Sequence, residues 1–564
     1  MTINRKKQVA IILATCIGIF LCMLDTTVMN IALPSIQNDL DINLNNLSWA
    51  LNIYTITFAS LTIPLSKLAD NLGRNKIYIL GILSFIVGSL ISSMSNNLTF
   101  LILGRGIQSI GASIVFPLSM TIGINTVPME KRKSIISILG ITQGLAAALG
   151  PSIGGTLTQF LGWRWIFIIN IPLMIVSLII CLIKFNFKEK SEDNGIDYLG
   201  SVLGIIFMMS LTLTLVQGKS WGWNSKIIIS LIITTIISIL IFIIWEHRAN
   251  SPMIPLKLFK NREFTGSSIA IILSNLFLVA VTVILPTFFT KIQNKNELTA
   301  AILITPITGM IFIFSPIAAI LINKIGPRLI ISTGFILMTI SYILFANINM
   351  DNIYYIVISC LILGTGYGII AGPITVLAAS NFKGYLLTSS QSVAGVLRQV
   401  GISIAVAIYV TGLSSNIAVA NNNSVNYIKQ NVIKMDIPQS KKQIIINKAT
   451  KELSSNKSNK NVTNHFSKAE KDKLIRLNYN KTMKKYNYNI PQNIKSKIYI
   501  EVQQKVNNKI KKINKQINHV ISKIKNYALN EHSNAFINLY RYSIIFVALS
   551  TLSFLFFPSK NKKI

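Results

Sequence analysis

Charged residues are scarce in this sequence of 564 residues. They make up 13% of the chain, whereas a soluble domain carries about a quarter. Acidic residues are the rarest of them, with 19 Asp and Glu against 54 Lys and Arg. The mean hydropathy is +0.54. This composition excludes a water-soluble globular protein of this length and predicts lipid as the solvent of most of the chain.

Residues that bind metals or form disulfides are also few. The four cysteines all lie in apolar runs without metal-ligand spacing, which excludes a disulfide framework: Cys16, Cys22, Cys181 and Cys360. The four histidines are scattered. The sequence Gly218-Lys219-Ser220 has Leu213 where a phosphate loop requires its first glycine. We therefore expect no metal, no other cofactor and no enzymatic activity.

The net charge of +35 would suit a nucleic-acid-binding protein, but its distribution does not. Residues 421–535 hold 24 Lys and Arg against 6 Asp and Glu, and most other basic residues lie in short loops between apolar runs. The abundance of Asn, Ile and Lys is also typical of a general codon bias. We predict no nucleic-acid partner.

Long apolar runs dominate the rest of the chain. A spanning helix needs about 20 mostly apolar residues, and about fourteen such runs are present. They lie near 8–33, 49–66, 77–95, 98–127, 134–160, 164–184, 197–217, 226–246, 264–290, 298–323, 328–347, 353–380, 386–414 and 537–558. The fold class predicted is an all-α membrane protein in a lipid bilayer.

The orientation follows from the basic residues of the short loops. With the N-terminus inside, eight cytoplasmic segments hold 22 Lys and Arg, and six short outer loops hold 5. Because cytoplasmic loops carry the excess of positive charge, we predict a multi-pass protein of the cell membrane with both termini cytoplasmic. Residues 421–535 then lie outside, where a loop of this length escapes the charge rule.

Residues 421–535 divide into two parts. The first is polar and rich in Asn and Lys, and we expect it to be flexible. In the second, apolar residues recur at spacings of three and four from Ile498 to Ile524, which predicts an amphipathic helix over 498–525 with lysines on its other face. We expect this helix to lie on anionic lipid or across the outer mouth, and anionic wall polymer is a further possible partner.

An internal repeat indicates two halves. The sequence at 101–104 recurs at 361–364, and the loop at 72–74 is echoed at 325–328. The offsets fit two six-helix halves separated by an inserted helix pair. The predicted organisation is an N-terminal half (1–190), the inserted pair (191–248), helices nine to thirteen (249–420), the basic outer loop (421–535) and the last helix with its tail (536–564).

Asp25 appears as the only acid inside these runs, and an intramembrane acid usually marks function. At 1.5 Å per residue, Asp25 and Arg105 both lie about 10–12 Å below the outer boundary. Equal depth makes pairing feasible. We interpret Asp25 as a protonatable acid tuned by Arg105. The alternative is a buried ion pair with a purely structural role.

Residues 24–34 resemble the first-helix signature of the fourteen-helix drug:proton antiporters (EmrB/QacA type) of the major facilitator superfamily. Residues 66–76 resemble the superfamily's loop-two signature, with Ser66 where Gly is usual. Further matches are Arg105, Gln108, Gly111 and Ala112 in the fourth helix, 150–155 in the fifth, and 163–172, 252–259 and Arg398-Gln399. The resemblance covers about 8–420 and 530–560.

The resemblance implies roles for two sets of residues. Asp70, Gly73 and Arg74 would form a cytoplasmic gate, with the two charges flanking a turn at Gly73; the alternative is positive charge that only sets topology. Gly150, Gly154 and Gly155 would let helices approach closely, with a kink at Pro151. The alternative there is packing without a role in coupling.

The function predicted is a proton-coupled antiporter that exports small amphipathic or lipophilic compounds by alternating access, with multidrug efflux and antibiotic resistance as its consequence. Protons would enter through Asp25, and the protein would be a monomer. Because 298–323 and 386–414 contain no acid, dicationic substrates are disfavoured. The alternatives are a lipid or metabolite transporter of the same fold, or a membrane-anchored binding protein that uses its basic outer loop.

Overall fold

The computed structural model describes most of the chain. The described residues are 5–42, 44–187, 195, 197–293, 295–347, 352–435, 439–455, 468–485 and 491–558. The predicted cytoplasmic tail after residue 558 lies outside them. They fall into two compact units, one of Met1–Gly412 with Ile537–Ile564 and one of Leu413–Phe536.

Helices account for nearly all of the described residues, which hold no β-strand. The bounds are α1 (Arg5–Leu40), α2 (Leu44–Leu72), α3 (Arg74–Ser93), α4 (Leu98–Asn125), α5 (Met129–Phe160), α6 (Trp165–Ile168), α7 (Asn170–Lys184), α8 (Tyr198–Trp221), α9 (Lys226–Arg248), α10 (Lys257–Lys260), α11 (Arg262–Lys291), α12 (Glu297–Ile325), α13 (Pro327–Asn347), α14 (Ile353–Ser380), α15 (Gly384–Ile433), α16 (Gln439–Ser455), α17 (Lys468–Lys484) and α18 (Gln492–Ser550), followed by a 3-10 helix (Thr551–Phe556).

Twelve helices of the described chain are long and apolar enough to cross a membrane, against about fourteen predicted. The other two predicted runs, 49–66 and 134–160, are helical within α2 and α5. The described residues of α2 do not meet that criterion, and those of α5 include the apolar stretch Ser134–Ala146. An all-α membrane fold is therefore confirmed, and the crossing of the bilayer by α2 and α5 stays a prediction.

In the first unit, α5 has an unusual position because it packs on helices of both predicted halves. It lies along α1 on one side and along α12 and α14 on another. The α5 and α12 hydroxyls of Ser152 and Thr305 are hydrogen-bonded at 3.1 Å. The inserted pair, α8 and α9, packs together, and α8 also packs on α2. A movement of α5 would therefore change packing contacts in both predicted halves.

The second unit is a helical assembly with its own apolar core. One cluster joins Ile428 and Ile445 to Ile517 and Ile524, and another joins Ile475 of α17 to the first turns of the predicted amphipathic stripe. The helix predicted over 498–525 is confirmed within α18. The first part of the segment, which was expected to be flexible, contains helices α16 and α17 within its described residues. The apolar stripe packs on Ile428 of α15, Ile445 of α16 and Ile475 of α17, and contact of this segment with anionic lipid or wall polymer stays a prediction.

Candidate proton-coupling site

Asp25 and Arg105 form an ion pair, as their equal predicted depth suggested. Packing of α1 on α4 brings together two side chains that are 80 residues apart, and the Arg105 guanidinium donates through Nη1 to Asp25 Oδ2. Asp25 is 4% exposed and Arg105 1%. Burial of two charges is costly unless each is paired and hydrogen-bonded. The remaining atoms of the pair therefore need partners.

Two amides supply partners for the carboxylate. Gln108 donates to Asp25 Oδ1 at 2.9 Å and accepts from Arg105 at 2.8 Å. Asn170 donates to the same Oδ1 at 3.4 Å. Gln108 was expected only as part of a signature, and no role was predicted for Asn170. The signal for Asn170 was an amide at the end of the 163–172 signature, inside an apolar run.

The guanidinium is enclosed by α2 and α6. Arg105 Nε donates to the Ala50 carbonyl at 3.2 Å. Its Cζ atom lies 4.3 Å from the centre of the Tyr54 ring and 5.8 Å from that of Phe167, a distance at which an aromatic face attracts a cation. The Tyr54 hydroxyl is itself bonded to the Cys22 carbonyl. Aromatic rings and buried amides therefore surround the pair and separate the Asp25 carboxylate from solvent in this structure.

The glycines of α5 face the same segment of α1. A Cβ atom on Gly150 would overlap Thr27 Oγ1, and one on Gly154 would lie 2.8 Å from the Val28 carbonyl oxygen. Both positions therefore need glycine, as predicted. Gly155 is different, because its nearest neighbours would be 3.7 Å away, an ordinary contact; the close approach expected there is absent. Pro151 lies within α5, and its side chain is outside the described residues.

The predicted gate residues form a local ion pair. Asp70 Oδ1 and Arg74 Nε are 2.6 Å apart across the turn between α2 and α3. Gly73 in this turn has φ 104°, a region that favours glycine. The pair therefore links the end of α2 to the start of α3 across this turn. Asp70, Gly73 and Arg74 are brought together as predicted, while their gating role remains a prediction.

Contacts between the two halves at this end come from the residues just before the turn. The hydroxyls of Ser66 and Ser392 are 2.7 Å apart. Lys67 donates to the Pro252 carbonyl at 3.4 Å and lies 5.5 Å from the centre of the Tyr385 ring. Ser66 and Lys67 thus join α2 to the start of α15 and to the loop after α9. The resemblance drew attention to Ser66 only as a departure from glycine.

Glu246 and Asp197, which lie in runs 226–246 and 197–217, correct the statement that Asp25 is the only acid in the runs. Glu246 is 3% exposed near the end of α9, and its carboxylate accepts from the backbone amides of Met253 at 3.0 Å and Ile254 at 3.3 Å. Its position at the last residue of run 226–246 was the signal that was overlooked. Glu246 thus holds the segment whose Pro252 carbonyl accepts the hydrogen bond from Lys67. No group of three or more metal-ligating side chains occurs among the described residues.

A third ion pair lies at the predicted outer side. Arg164 and Asp39 are 2.8 Å apart, and the Trp163 indole also donates to Asp39 at 3.1 Å. The hydrogen bonds from Arg164 and then Trp163 lower the pKa of Asp39. Arg164 also donates to the Ser95 carbonyl. The 163–172 signature therefore ties the ends of α1 and α3 together and places Asn170 beside Asp25.

The chain matches the sequence model of the Major Facilitator Superfamily over residues 15–406. It belongs to this superfamily. It is 31% identical over 369 residues to the riboflavin transporter RibZ of Clostridioides difficile, covering 65% of this chain and 80% of RibZ. It is 30% identical over 394 residues to the multidrug transporter protein MdtP of Bacillus subtilis, covering 69% and 73%.

A third relative is the probable multidrug resistance protein EmrY of Escherichia coli, 30% identical over 333 residues, which is 58% of this chain and 65% of EmrY. These matches confirm the resemblance inferred from the motifs. They also confirm the prediction of a multi-pass membrane transporter rather than an enzyme.

Proposed function

We propose that this superfamily member is a proton-coupled antiporter that exports small amphipathic compounds by alternating access. The observation that supports it best is the buried Asp25 carboxylate, which is held by Arg105, Gln108 and Asn170 and lies on the segment of α1 that contacts the glycines of α5. Gain or loss of a proton on this carboxylate would change the charge beside the contact between α1 and α5, and this change can favour a movement of the two helices. The multidrug transporters among the relatives support the substrate class.

The contacts suggest how protonation is converted into movement. A proton on Asp25 removes the negative charge that neutralises Arg105, so the pair loses its mutual attraction. The α1 backbone at Thr27 and Val28 is then free to shift against Gly150 and Gly154. Because α5 also packs on α12, the shift reaches the second half. Proton entry from outside and release inside would then drive the exchange.

Substrate loading from the cytoplasm requires the opposite end to open. In this structure Ser66–Ser392 and Lys67–Pro252 join the halves there. Each is a single hydrogen bond, worth about 0.5–1.5 kcal/mol. Such contacts stabilise a closed end without locking it. The Asp70–Arg74 pair keeps the turn in shape while these bonds break and reform.

The test is proton release on addition of an amphipathic substrate to proteoliposomes. Asp25→Asn keeps the shape of the side chain and removes the titratable proton, so substrate-induced proton release should fall to background. Asp39→Asn is the matched control and should retain coupling, because Asp39 is an exposed outer carboxylate. Coupling at the wild-type level in well-folded Asp25→Asn protein would refute the proposal.

The similarity to RibZ favours a second candidate, a metabolite transporter of the same fold. In that case the natural substrate is a single polar metabolite such as a flavin. Uptake of riboflavin by cells that lack their own transporter, compared with efflux of a panel of amphipathic drugs, separates the two. Riboflavin transport without drug efflux would favour the metabolite role.

The third alternative was a membrane-anchored binding protein that uses the basic outer loop. Deletion of 421–535 separates it from the transporters, since an antiporter should still export its substrates. The location of this loop outside, the cytoplasmic termini and the monomeric state remain parts of the proposal. Labelling of a cysteine placed at Lys505, which is exposed, with an impermeant thiol reagent in intact cells tests the topology.

A further inference from the structure

Arg398 is a second arginine within the apolar part of the chain, on α15. Its Nη1 atom lies 3.4 Å from the Met23 sulfur, and its Cζ atom lies 5.9 Å from the centre of the Phe116 ring. Met23 precedes Asp25 by two residues on α1, and Phe116 lies on α4. The guanidinium of α15 therefore reaches across to the helices that carry the proton-coupling site.

The partners of Arg398 are weak for a group that stays charged. Arginine has five N–H donors and does not lose its proton in proteins. A thioether is a weak acceptor, and the buried Nε atom has no hydrogen-bond partner among the described residues. None of the ion pairs of the described chain includes Arg398. In contrast, Arg105 has a carboxylate, an amide and a backbone carbonyl.

An amide on α5 is similarly short of partners. Gln143 is 4% exposed, its Nε2 atom lies 3.4 Å from the Met120 sulfur, and its Oε1 atom has no partner among the described residues. Phe116 and Met120 are four residues apart on α4, and side chains at this spacing are neighbours on one helix face. Arg398 and Gln143 therefore pack against adjacent positions of the same face of α4.

Unpaired polar groups of this kind are expensive within a membrane and usually mark a binding site. We propose that Arg398 binds the anionic group of the transported compound, with the apolar body of that compound against Phe116, Met23 and Met120 and with Gln143 as a second polar contact. A guanidinium matches a carboxylate, sulfonate or phosphate through paired N–H donors. The inference rests on the proposed function and assigns its substrate class as amphipathic anions.

The charges of the region argue against a cationic substrate. Asp25 follows Met23 by two residues on α1, and its oxygens already accept from three side chains. A cation would thus meet the unpaired positive charge of Arg398 in a medium of low dielectric constant, where like charges repel strongly. An anion instead neutralises Arg398 without competing for Asp25.

A matched pair of fluorescent probes tests the proposal. Anilinonaphthalenesulfonate and N-phenylnaphthylamine share an aromatic skeleton and differ in the sulfonate. Equilibrium binding is measured on the full-length protein in nanodiscs of zwitterionic lipid, after subtraction of empty nanodiscs. A charge-assisted hydrogen bond is worth a factor of about ten or more in affinity, so the wild-type protein should bind the sulfonate at least about tenfold more tightly.

Three variants locate the effect. Arg398→Gln should remove the preference for the sulfonate and leave binding of the neutral probe unchanged, while Arg398→Lys should keep part of the preference because it keeps the charge. Arg541→Gln is the control, since Arg541 is an exposed arginine on α18 and its loss should change neither affinity. Equal weakening of both probes in folded Arg398→Gln would show a packing role and overturn the proposal.

The wild-type measurement keeps the proposal falsifiable if Arg398→Gln fails to fold, because a wild-type protein without preference for the sulfonate is already incompatible with it. Addition of anionic phosphatidylglycerol to the nanodiscs identifies the source of the anion: displacement of the sulfonate assigns the subsite to a lipid headgroup, and unchanged binding assigns it to soluble amphiphiles. Both results keep the anion subsite at Arg398.

The binding assay uses no proton gradient, so its outcome is separate from that of the antiport proposal. Asp25→Asn protein should retain the preference for the sulfonate. If Asp25→Asn also retained full proton coupling, the antiport mechanism would fail while the anion subsite stood. If the preference were absent and coupling still depended on Asp25, the reverse would hold.

Discussion

The two compact units have opposite distributions of polarity. In the first unit, α9 exposes apolar side chains such as Ile236 at 53% and Ile244 at 58%, while Arg105 is 1% exposed. In the second, Ile517 is 2% exposed, and the Lys505 side chain is 74% exposed. Both units are made of helices, so the units differ in the side chains that form their surfaces, which are apolar on α9 and basic at Lys505.

This contrast shows that different forces hold the two units together. Between helices in lipid there is no hydrophobic driving force, so close packing at small residues and buried hydrogen bonds must specify the contacts. In the second unit, burial of apolar side chains away from water drives the packing. Substitutions of polar residues should therefore be severe in the first unit, and substitutions of apolar residues should be severe in the second.

The largest effect is expected for Arg105→Ala. It leaves the Asp25 carboxylate buried without its cation, and breaking a buried pair from one side costs about 3–5 kcal/mol. Reversible unfolding of the first unit in denaturing detergent measures the loss. Arg164→Ala, which breaks the more exposed pair with Asp39, is the comparison and should cost less than about 1 kcal/mol. Equal losses of unfolding free energy in the two variants would show that burial does not set the cost of breaking these ion pairs.

The matching substitution in the second unit is Ile517→Ala. Ile517 contacts the core shared with Ile428 and Ile445, and truncation of a buried isoleucine costs about 2–5 kcal/mol. Faster proteolysis of 413–536 should reveal it, with export unaffected. Lys512→Ala on the exposed face should leave proteolysis unchanged. Loss of export in Ile517→Ala would mean that the two units are functionally coupled.

Gly154→Ala tests the close approach of α5 to α1. The added methyl group would lie 2.8 Å from the Val28 carbonyl oxygen, and overpacking of this kind costs about 1–3 kcal/mol. We expect export to fall severalfold at equal amounts of protein in the membrane. Gly155→Ala is the matched control, because its methyl group has ordinary contacts at 3.7 Å. Similar export by both variants would argue against this contact as the route of coupling.

Gly73→Ala tests the turn between α2 and α3, which is predicted to be cytoplasmic. At φ 104° an added side chain costs about 1–2 kcal/mol, although space for it exists, since the nearest atom is 3.9 Å away. Thermal unfolding should shift downwards and export should decrease. Gly309→Ala within α12, where nothing lies within 4 Å, should be neutral. A stable, fully active Gly73→Ala protein would show that backbone strain does not make glycine necessary at this turn.

The smallest effect is expected for Asp39→Asn. Because Arg164 and Trp163 lower the pKa of Asp39, the carboxylate stabilises the fold at pH above about 4, the ordinary value for Asp, and this contribution disappears as the pH falls through the lowered pKa. The free energy of unfolding of the wild type should exceed that of the variant by less than about 1 kcal/mol at pH 7. The difference should vanish near pH 2, and a constant difference would exclude the ion pair as its source.

The helices of the first unit and the pairing of Asp25 with Arg105 could be predicted from the sequence. Apolar runs specify helices locally because lipid requires every backbone group to be bonded within its own segment. A charge such as Asp25 within a run is conspicuous for the same reason. The apolar stripe from Ile498 to Ile524 predicted a helix correctly, although not its partner, because periodicity shows that one face is apolar and does not show what covers it.

What the sequence by itself determined is therefore the membrane class, the superfamily and the choice of Asp25 and Arg105 as candidate coupling residues. Only the tertiary structure decided that Asn170 reaches Asp25, that Gly154 needs its small size while Gly155 does not, and that Arg398 has no ion-pair partner among the described residues. These contacts depend on the rotation and depth of each helix against its neighbours. Packing between helices sets both quantities, and a single sequence leaves them open.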